Sequence, residues 1–321
     1  MKKLNADMKT GNFEHVYLFC GDETFLKRSY KNRMKAAVCG GNDMNLSCYE
    51  GKDIDEGNVI DTAESMPFFA EHRLIVIENS GWLKSSHERI AEYLGHINES
   101  TVILFIEEEA DKRNKVYKRI KEHGYICEMN HPTPKELSSW AAGILAREGR
   151  SITAGDMDIF LSRTGNDMER IRTELDKLIS YTEGRDRITE EDITAITSET
   201  EVGRVFDMVR AITDRKTEEA MALYEDLLAL KEPPLRIIFL IARQFNQLLV
   251  IKDLLSAGKG RDDIAAAMKL TPYIAGKLIQ QVRPYDRNTL LSFVDRCISL
   301  EEAVKKGDLP DRLAVELMIC G

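Results

Sequence analysis

Cysteine and histidine are scarce in this sequence, and neither is spaced for a metal site. The 321 residues include six cysteines and six histidines. No two cysteines form a CxxC pair and no two histidines lie three or four residues apart, so the ligand spacing of a zinc site is missing and we expect no metal. We expect the cysteines to be reduced core residues of a cytoplasmic protein. They are Cys20, Cys39, Cys48, Cys127, Cys297 and Cys320.

Long apolar runs and a positive net charge are also missing. The N-terminal segment MKKLNADMKTG begins with basic residues but lacks the apolar stretch of a signal peptide, and no run approaches the ~20 residues of a membrane span. A net charge of −9 argues against a protein that coats nucleic acid by bulk charge, although a local basic face stays possible. The length and the 43% hydrophobic content predict two or three domains with substantial cores.

Residues 1–130 predict alternating strands and helices. Short apolar stretches recur every 23 to 30 residues, which is the length of one strand-helix unit. Buried strands joined by helices form a parallel sheet that is covered on both faces. The predicted strands are Val16–Cys20, Leu46–Tyr49, Leu74–Ile77, Val102–Ile106 and Tyr125–Met129. The predicted helices are Glu23–Val38, Asp55–Met66, Ser86–His96 and Lys112–Glu122.

The strand pattern stops at the stretch HPTP, His131–Pro134, and only amphipathic helices are predicted after it. Four helices are expected first, at Lys135–Arg147, Ala154–Ser162, Asp167–Tyr181 and Glu190–Ile196. A second boundary is predicted near SETEVG, Ser198–Gly203. Seven further helices follow, at Arg204–Thr213, Thr217–Leu230, Pro234–Ser256, Arg261–Met268, Pro272–Val282, Arg287–Lys306 and Asp311–Ile319. The expected domains are an α/β domain at 1–133 and all-α domains at 134–200 and 201–321.

The last domain contains a stretch whose charge contrasts with that of the whole chain. From Arg236 to Arg287 the sequence has nine basic and four acidic residues, which gives this stretch a net charge of +5. A basic helical surface could face DNA or an acidic subunit, but ordinary solvated helix faces explain the same composition. The basic residues are Arg236, Arg243, Lys252, Lys259, Arg261, Lys269, Lys277, Arg283 and Arg287.

Two adjacent aromatic residues lie between a predicted helix and a predicted buried strand. Val59, Ile60, Ala63 and Met66 repeat at helical spacing, and Pro67 should end that helix. Phe68 and Phe69 follow directly. Spacing alone favours rings that close the domain core, with an exposed anchor for a partner's pocket as the alternative.

The loop after the first strand stands where a phosphate-binding loop would lie. The sequence Cys20-Gly-Asp-Glu-Thr-Phe-Leu-Lys27 has only one of the two glycines of G-x-x-x-x-G-K-[ST], and Arg28 replaces the hydroxyl residue. Its two carboxylates would repel phosphate, so no bound nucleotide or other cofactor is expected. The acidic run Glu107–Glu109 after the fourth strand does not make a metal site without that loop. No Ser/His/Asp or Cys/His set has a local signature, and no catalytic residue is predicted.

Four stretches in order resemble the delta subunit family of the bacterial DNA polymerase III clamp loader. VYLFCGDETFLK at 16–27 resembles the family's opening strand and turn, and MPFFAEHRLIVIEN at 66–79 resembles its clamp-contacting segment. TGNDMERIRTELDKLISY at 164–181 and the run at 205–249 resemble its second and third domains. His72 departs from the pattern, because an arginine or similar side chain is typical before Arg73.

The resemblance implies an AAA+-like α/β domain, a helical lid and a helical collar that mediates oligomerisation. It implies a subunit without ATPase activity that binds the sliding clamp (the beta subunit) and helps to open the ring for loading onto primed DNA. The implied partners are the delta-prime and gamma/tau subunits of a hetero-pentamer within the DNA polymerase III holoenzyme. Carried over by position, Phe68 and Phe69 are the inserted pair, and Met66 and Pro67 shape the turn.

Two other classes of function remain open at this point. An active AAA+ ATPase that remodels a protein or DNA would need the glycine and hydroxyl that the loop lacks. A helical DNA-binding regulator would need a recognition-helix motif, which the sequence does not contain.

Overall fold

The computed structural model describes residues 1–41, 43–198 and 201–321. The chain divides into two compact units, Met1–Pro132 and Thr133–Gly321. The predicted boundary near Ser198–Gly203 falls partly on residues 199 and 200, outside the described residues. The further division of the second unit into lid and collar therefore stays a prediction.

The first unit contains a five-stranded parallel sheet, which confirms the predicted fold class. The strand order is β2-β3-β4-β1-β5. The strands are β1 (Val16–Cys20), β2 (Leu46–Glu50), β3 (Arg73–Glu78), β4 (Thr101–Glu107) and β5 (Tyr125–Glu128), each within one residue of its predicted bounds. The helices are α1 (Lys2–Thr10), α2 (Thr24–Cys39), α3 (Glu56–Glu64), α4 (Glu88–Tyr93) and α5 (Lys115–His123).

Burial on both faces explains why the central strands were readable from the sequence. Every residue of β1 and of β4 is buried, whereas β2 at the sheet edge alternates between half-buried and exposed positions. Cys48 on β2 is exposed, and so is Cys320 at the chain end, so the prediction that all six cysteines are core residues is wrong for these two. An edge strand presents one side chain in two to solvent, which a short sequence pattern does not reveal.

Helix α1 was missed because its sequence is mostly polar. Tertiary contacts hold it: the Tyr17 hydroxyl donates to Asp7 Oδ2 at 2.9 Å, and both residues are buried. Leu4 is fully buried on the same helix. One buried apolar residue and one buried carboxylate are too few to produce a helical hydrophobic period.

Among its described residues, the second unit is helical apart from two short strands that the sequence pattern did not predict. β6 (Ser151–Ile152) and β7 (Arg187–Ile188) pair in parallel. The prediction that the strand signal stops after residue 130 is wrong at these positions, because two-residue strands are too short to show periodicity. The helices are α6 (Pro134–Arg147), α7 (Ala154–Thr164), α8 (Met168–Tyr181), α9 (Glu190–Ile196), α10 (Glu201–Thr213), α11 (Thr217–Ala229), α12 (Pro234–Ser256), α13 (Arg261–Met268), α14 (Pro272–Val282), α15 (Arg287–Lys306) and α16 (Asp311–Cys320).

Helix boundaries in the second unit follow the local signals of the sequence. Thr189 and Asp192 form a capping box at the start of α9. Pro234 and Pro272 occupy first-turn positions of α12 and α14. Gly307 ends α15 at φ 83°, a left-handed conformation that glycine adopts without strain.

Helix α12 is apolar because it forms the centre of the second unit. It is the one helix of the described residues that is long and apolar enough to be a candidate membrane span by length and composition. Ile237, Ile241, Phe245, Leu248 and Ile251 on it are nevertheless fully buried. The core that these side chains build accounts for the composition of the helix.

Replacing Phe245 with alanine should strongly destabilise the chain. The Phe245 ring is fully buried and stacks on Phe293 with centroids 4.6 Å apart. We expect the free energy of unfolding to fall by about 3–5 kcal/mol, the usual cost of truncating a buried phenylalanine. Denaturant unfolding of Phe245→Ala measures this, with Val250→Ala on the exposed side of α12 as the control. If Val250→Ala lowered the free energy of unfolding as much as Phe245→Ala, the core position of α12 would be contradicted.

Candidate functional site

The turn between α3 and β3 carries the residues that the sequence singled out. Helix α3 ends at Glu64, so the prediction that it extends to Met66 is wrong. Ser65 is already extended, with ψ 136°, and its hydroxyl donates to Thr62 O at 2.6 Å. Met66 precedes a proline, which disfavours the helical conformation at that position. Met66 thus lies outside the helix face and is 81% exposed.

Both phenylalanine rings of the turn project away from the core. Phe68 is 49% exposed and Phe69 is 92% exposed. Their ring centroids lie 4.5 Å apart at an interplanar angle of 85°, an edge-to-face pair. The interpretation favoured by spacing alone, that the rings close the domain core, is therefore wrong. Burial could not be read from spacing, because it depends on how the turn leaves the helix.

Hydrogen bonds from two other segments fix the backbone of this turn. Phe68 N donates to Asn45 Oδ1 at 2.6 Å, and Asn45 Nδ2 donates to Phe68 O at 2.8 Å. Arg73 Nη2 donates to Met66 O at 3.3 Å. Sequence reasoning missed Asn45, because no local pattern marks a contact that spans 23 residues.

The exposed apolar side chains of the first unit are concentrated at this turn. Among its described residues, the large apolar side chains classed as exposed are Met1, Met44, Met66, Phe68 and Phe69. Three of these belong to the turn, and Met44 precedes Asn45, which holds the turn. A concentrated exposed apolar surface is typical of a protein-binding site.

The loop after β1 contacts its own fold at the positions where a phosphate-binding loop would contact phosphate. Gly21 N donates to Glu108 O at 3.0 Å, and Glu23 N donates to Met129 O at 2.9 Å. A Cβ at Gly21 would lie 2.4 Å from Met129 O, so the glycine serves close packing against the end of β5. These two amide groups are committed to carbonyl oxygens, and the loop cannot turn them toward an anion.

The lysine of this loop is likewise used within the fold. Lys27 is buried, and its Nζ donates to Gly21 O at 2.7 Å and to Glu107 O at 3.3 Å. The Glu23 side chain caps α2 by accepting from Phe25 N at 3.0 Å, and its other oxygen lies 2.9 Å from His131 Nδ1. The groups that would bind phosphate and a metal ion are thus structural here.

The acidic residues at the end of β4 and directly after it do not converge on a cation position. Glu107 is buried, and its Oε1 accepts from Ser80 N at 2.8 Å and from the Ser80 hydroxyl at 2.6 Å. Glu109 pairs with Lys84 at 2.8 Å, and this hydrogen bond lowers the pKa of Glu109. Across residues 1–41, 43–198 and 201–321, no group of three or more His, Cys, Asp or Glu side chains is placed to hold a metal ion.

The cleft beside this loop also lacks a reactive thiol. Cys20 lines the cleft with Gly21, Glu108 and Lys112. Burial raises the pKa of the Cys20 thiol to about 11, so the group is protonated near neutral pH. A neutral thiol is a weak nucleophile.

The basic stretch of the second unit is partly neutralised by neighbouring carboxylates. Arg287 Nε lies 2.9 Å from Asp253 Oδ1, and Arg261 Nε lies 3.1 Å from Asp262 Oδ1. Lys277 lies over the Tyr273 ring at 4.7 Å. The two ion pairs weaken the positive field of the surface, whereas the contact with the neutral tyrosine ring leaves the charge of Lys277 in place, and DNA binding by this face stays a prediction.

Comparison with known proteins gives a consistent match along the chain. Residues 17–130 match the family model described as DNA polymerase III, delta subunit, and residues 203–321 match the model of the C-terminal domain of the same subunit. DNA polymerase III subunit delta of Bacillus subtilis is 24% identical over 97% of this chain and 94% of its own length. A probable DNA polymerase III subunit delta of Aquifex aeolicus is 20% identical over 80% of this chain and 75% of its own.

A solved structure shares the fold over nearly the whole length. The Bacillus subtilis DNA clamp loader delta protein superposes with a TM-score of 0.67 at 24% identity, covering 99% of this chain and 98% of that one. The match includes both the sheet-containing unit and the helical unit.

The loop geometry predicts that the isolated chain does not bind Mg-ATP specifically. Gly21 N and Lys27 Nζ already donate to carbonyl oxygens, so phosphate would have to displace internal hydrogen bonds. We expect isothermal titration to show no saturable binding. Lys27→Met should instead lower the free energy of unfolding by about 1–3 kcal/mol, because it leaves buried carbonyl oxygens unpaired.

An exposed lysine provides the control for this prediction. Lys84→Met removes a solvent-exposed ammonium that lines the cleft beside the loop and should leave stability nearly unchanged. Saturable Mg-ATP binding that Lys27→Met abolishes would contradict the assignment of Lys27 to the fold.

Proposed function

Because the chain belongs to the DNA polymerase III delta subunit family, we propose that it binds the sliding clamp and helps to open the ring for loading onto primed DNA. In this proposal it acts in the cytoplasm within the clamp loader, beside delta-prime and gamma/tau subunits, and hydrolyses no ATP itself. The observation that carries the proposal is the exposed Phe68–Phe69 pair on a turn whose backbone is fixed by hydrogen bonds.

The geometry of the turn suits insertion into an apolar pocket of a partner. Two large rings at 49% and 92% exposure present an apolar surface that folding of the monomer leaves in water. Removing that surface from water on docking provides the driving force. Aromatic anchors of this kind carry a large share of the binding energy in many interfaces.

The fixed backbone limits the entropy that docking costs. The Asn45 side chain forms hydrogen bonds with both the N–H and the C=O of Phe68. The ring of Pro67 restricts the φ of that residue. After three further residues, β3 begins at Arg73, and the central residues of this strand are fully buried. A force on the two phenylalanine side chains is therefore transmitted to a rigid sheet. A subunit that opens the clamp through one contact requires such a connection.

The alternative of an active ATPase receives no support from the loop after β1. Its amide groups and lysine are internally paired, and its second glycine and hydroxyl are missing. We propose instead that partner subunits supply nucleotide hydrolysis and control when the turn is accessible.

Replacing both rings should abolish clamp binding without unfolding the chain. Truncating one anchor typically costs about 2–4 kcal/mol of binding energy, which is roughly 30- to 1000-fold in affinity at about 1.4 kcal/mol per tenfold. We expect Phe68→Ala/Phe69→Ala to melt at nearly the wild-type temperature and to lose binding to the isolated beta clamp in surface plasmon resonance.

An exposed phenylalanine of the other unit provides the matched control. Phe239 on α12 is 55% exposed, and Phe239→Ala should bind the clamp as the wild type does. If the double variant melts far lower while its folded fraction still binds, the rings are structural and the proposed contact is wrong.

The collar assignment predicts a second, separable class of variant. Leu313 and Leu317 are each 41% exposed and lie four residues apart on α16, so they share one face of the helix. We expect Leu313→Asp/Leu317→Asp to reduce incorporation into a reconstituted clamp loader, measured by size-exclusion chromatography, because charge in an apolar contact between subunits is unfavourable.

The two double variants serve as controls for each other. The leucine variant should keep its affinity for the isolated clamp, and the phenylalanine variant should still enter the loader. A leucine variant that assembles as well as the wild type would show that this face of α16 is outside the subunit interface.

A further inference from the structure

Phe69 has a backbone conformation that a phenylalanine rarely adopts. Its φ is 48°, in the left-handed region that is unfavourable for residues with a Cβ. Its side chain is 92% exposed, so contacts of the ring with the core cannot hold the conformation. The restraint has to come from the backbone on either side of this residue.

Asn45 supplies that restraint at the preceding residue. Its carboxamide accepts from Phe68 N at 2.6 Å and donates to Phe68 O at 2.8 Å, so a single side chain pairs with both polar groups of one peptide residue. This pairing imitates a neighbouring strand. Because N–H can only donate and C=O can only accept, the two contacts also fix which end of the amide faces which group.

The position of Asn45 in the fold makes its side chain rigid. The residue is fully buried, and it ends the short 3₁₀ turn Asp43–Asn45 directly before β2. The sheet register pairs the next residue, Leu46, with Leu74 of β3. Asn45 therefore stands at the start of the edge strand, beside the point where the phenylalanine turn enters the sheet.

Neither Arg73 nor another residue type at position 45 would restrain the turn in the same way. Arg73 reaches Met66 O at 3.3 Å, one residue before the proline and without a second hydrogen bond to the turn. An aspartate at position 45 would lack the donor for Phe68 O, and a hydroxyl side chain would be too short to meet both groups. The carboxamide of asparagine fits both requirements.

We infer that Asn45 is the positioning residue of the clamp-contacting turn, which it holds in the docking conformation by pairing with both backbone groups of Phe68. This inference rests on the function proposed above. As a positioning residue, Asn45 does not itself contact the clamp. It acts by keeping the turn ordered before binding, which lowers the entropy lost on docking.

The test combines clamp affinity with amide hydrogen exchange of the full chain. In Asn45→Ala, exchange at the Phe68 amide should become faster, and affinity for the isolated beta clamp should fall about tenfold, or about 1.4 kcal/mol. Asn45→Gln keeps the amide but shifts it by one methylene, so it provides a milder variant if the alanine variant folds poorly. It should also lose affinity.

Asn114 offers a matched control in the same unit. It too bridges backbone groups, accepting from Val116 N at 2.7 Å and donating to Ser85 O at 2.7 Å, far along the chain from the phenylalanine turn. Asn114→Ala should be destabilised but should bind the clamp normally. If Asn45→Ala and Asn114→Ala lost the same affinity for the clamp, Asn45 would act only through the stability of the fold. That result would overturn the inference.

A double-mutant cycle with Phe69 separates positioning from folding. If Asn45 acts through the rings, the affinity losses of Asn45→Ala and Phe69→Ala should combine to less than their sum. Additive losses, or an Asn45→Ala variant with wild-type affinity, would overturn the inference while the phenylalanine contact stood. If Phe68→Ala/Phe69→Ala itself retains affinity, the proposed clamp contact fails, and the inference that depends on it fails with it.

Discussion

The parallel sheet of the first unit constrains every other feature of that unit. Its strands all run in one direction, so their carboxyl ends lie along one edge and their amino ends along the other. The loop after β1 and the acidic residues after β4 lie at the carboxyl edge, whereas Asn45 and the phenylalanine turn lie at the amino edge. The central strands β1 and β4 have five and seven residues, so the two edges are separated by about 17–23 Å at ~3.3 Å per residue.

The carboxyl edge is where open α/β sheets usually bind ligands, and here the fold itself occupies it. Lys27 bonds to Gly21 O and Glu107 O, and Glu107 in turn fixes the backbone at Ser80. These contacts stabilise the ends of the central strands with the groups that an ATPase would use for phosphate and metal. The contacts of the fold itself therefore close the carboxyl edge, whereas the exposed phenylalanine turn lies at the opposite edge.

Structural features that depend on residues close together in the sequence were predicted correctly. Features that depend on contacts between distant residues were not. Strand bounds such as Val16–Cys20 were correct because apolar runs report burial directly, and the starts of α12 and α14 were correct because proline acts locally. Helix α1 was missed because a buried Tyr17–Asp7 contact holds it. The exposure of the phenylalanine pair and the role of Asn45 could not be predicted, because both follow from chain segments 23 residues apart that only the sheet register brings together.

Phe69 combines an unfavourable backbone conformation with an exposed apolar side chain. A left-handed backbone costs a residue with a Cβ roughly 1–2 kcal/mol, and an apolar ring at 92% exposure gains almost nothing from folding. Glycine would relieve the strain and a polar side chain would suit the solvent, so monomer stability explains neither feature. Strain that the surrounding structure enforces points to a use outside the folding of the chain itself. Asn45, which is buried directly before β2, pairs with both backbone groups of the preceding residue, Phe68, so the backbone beside Phe69 is restrained within the folded chain itself.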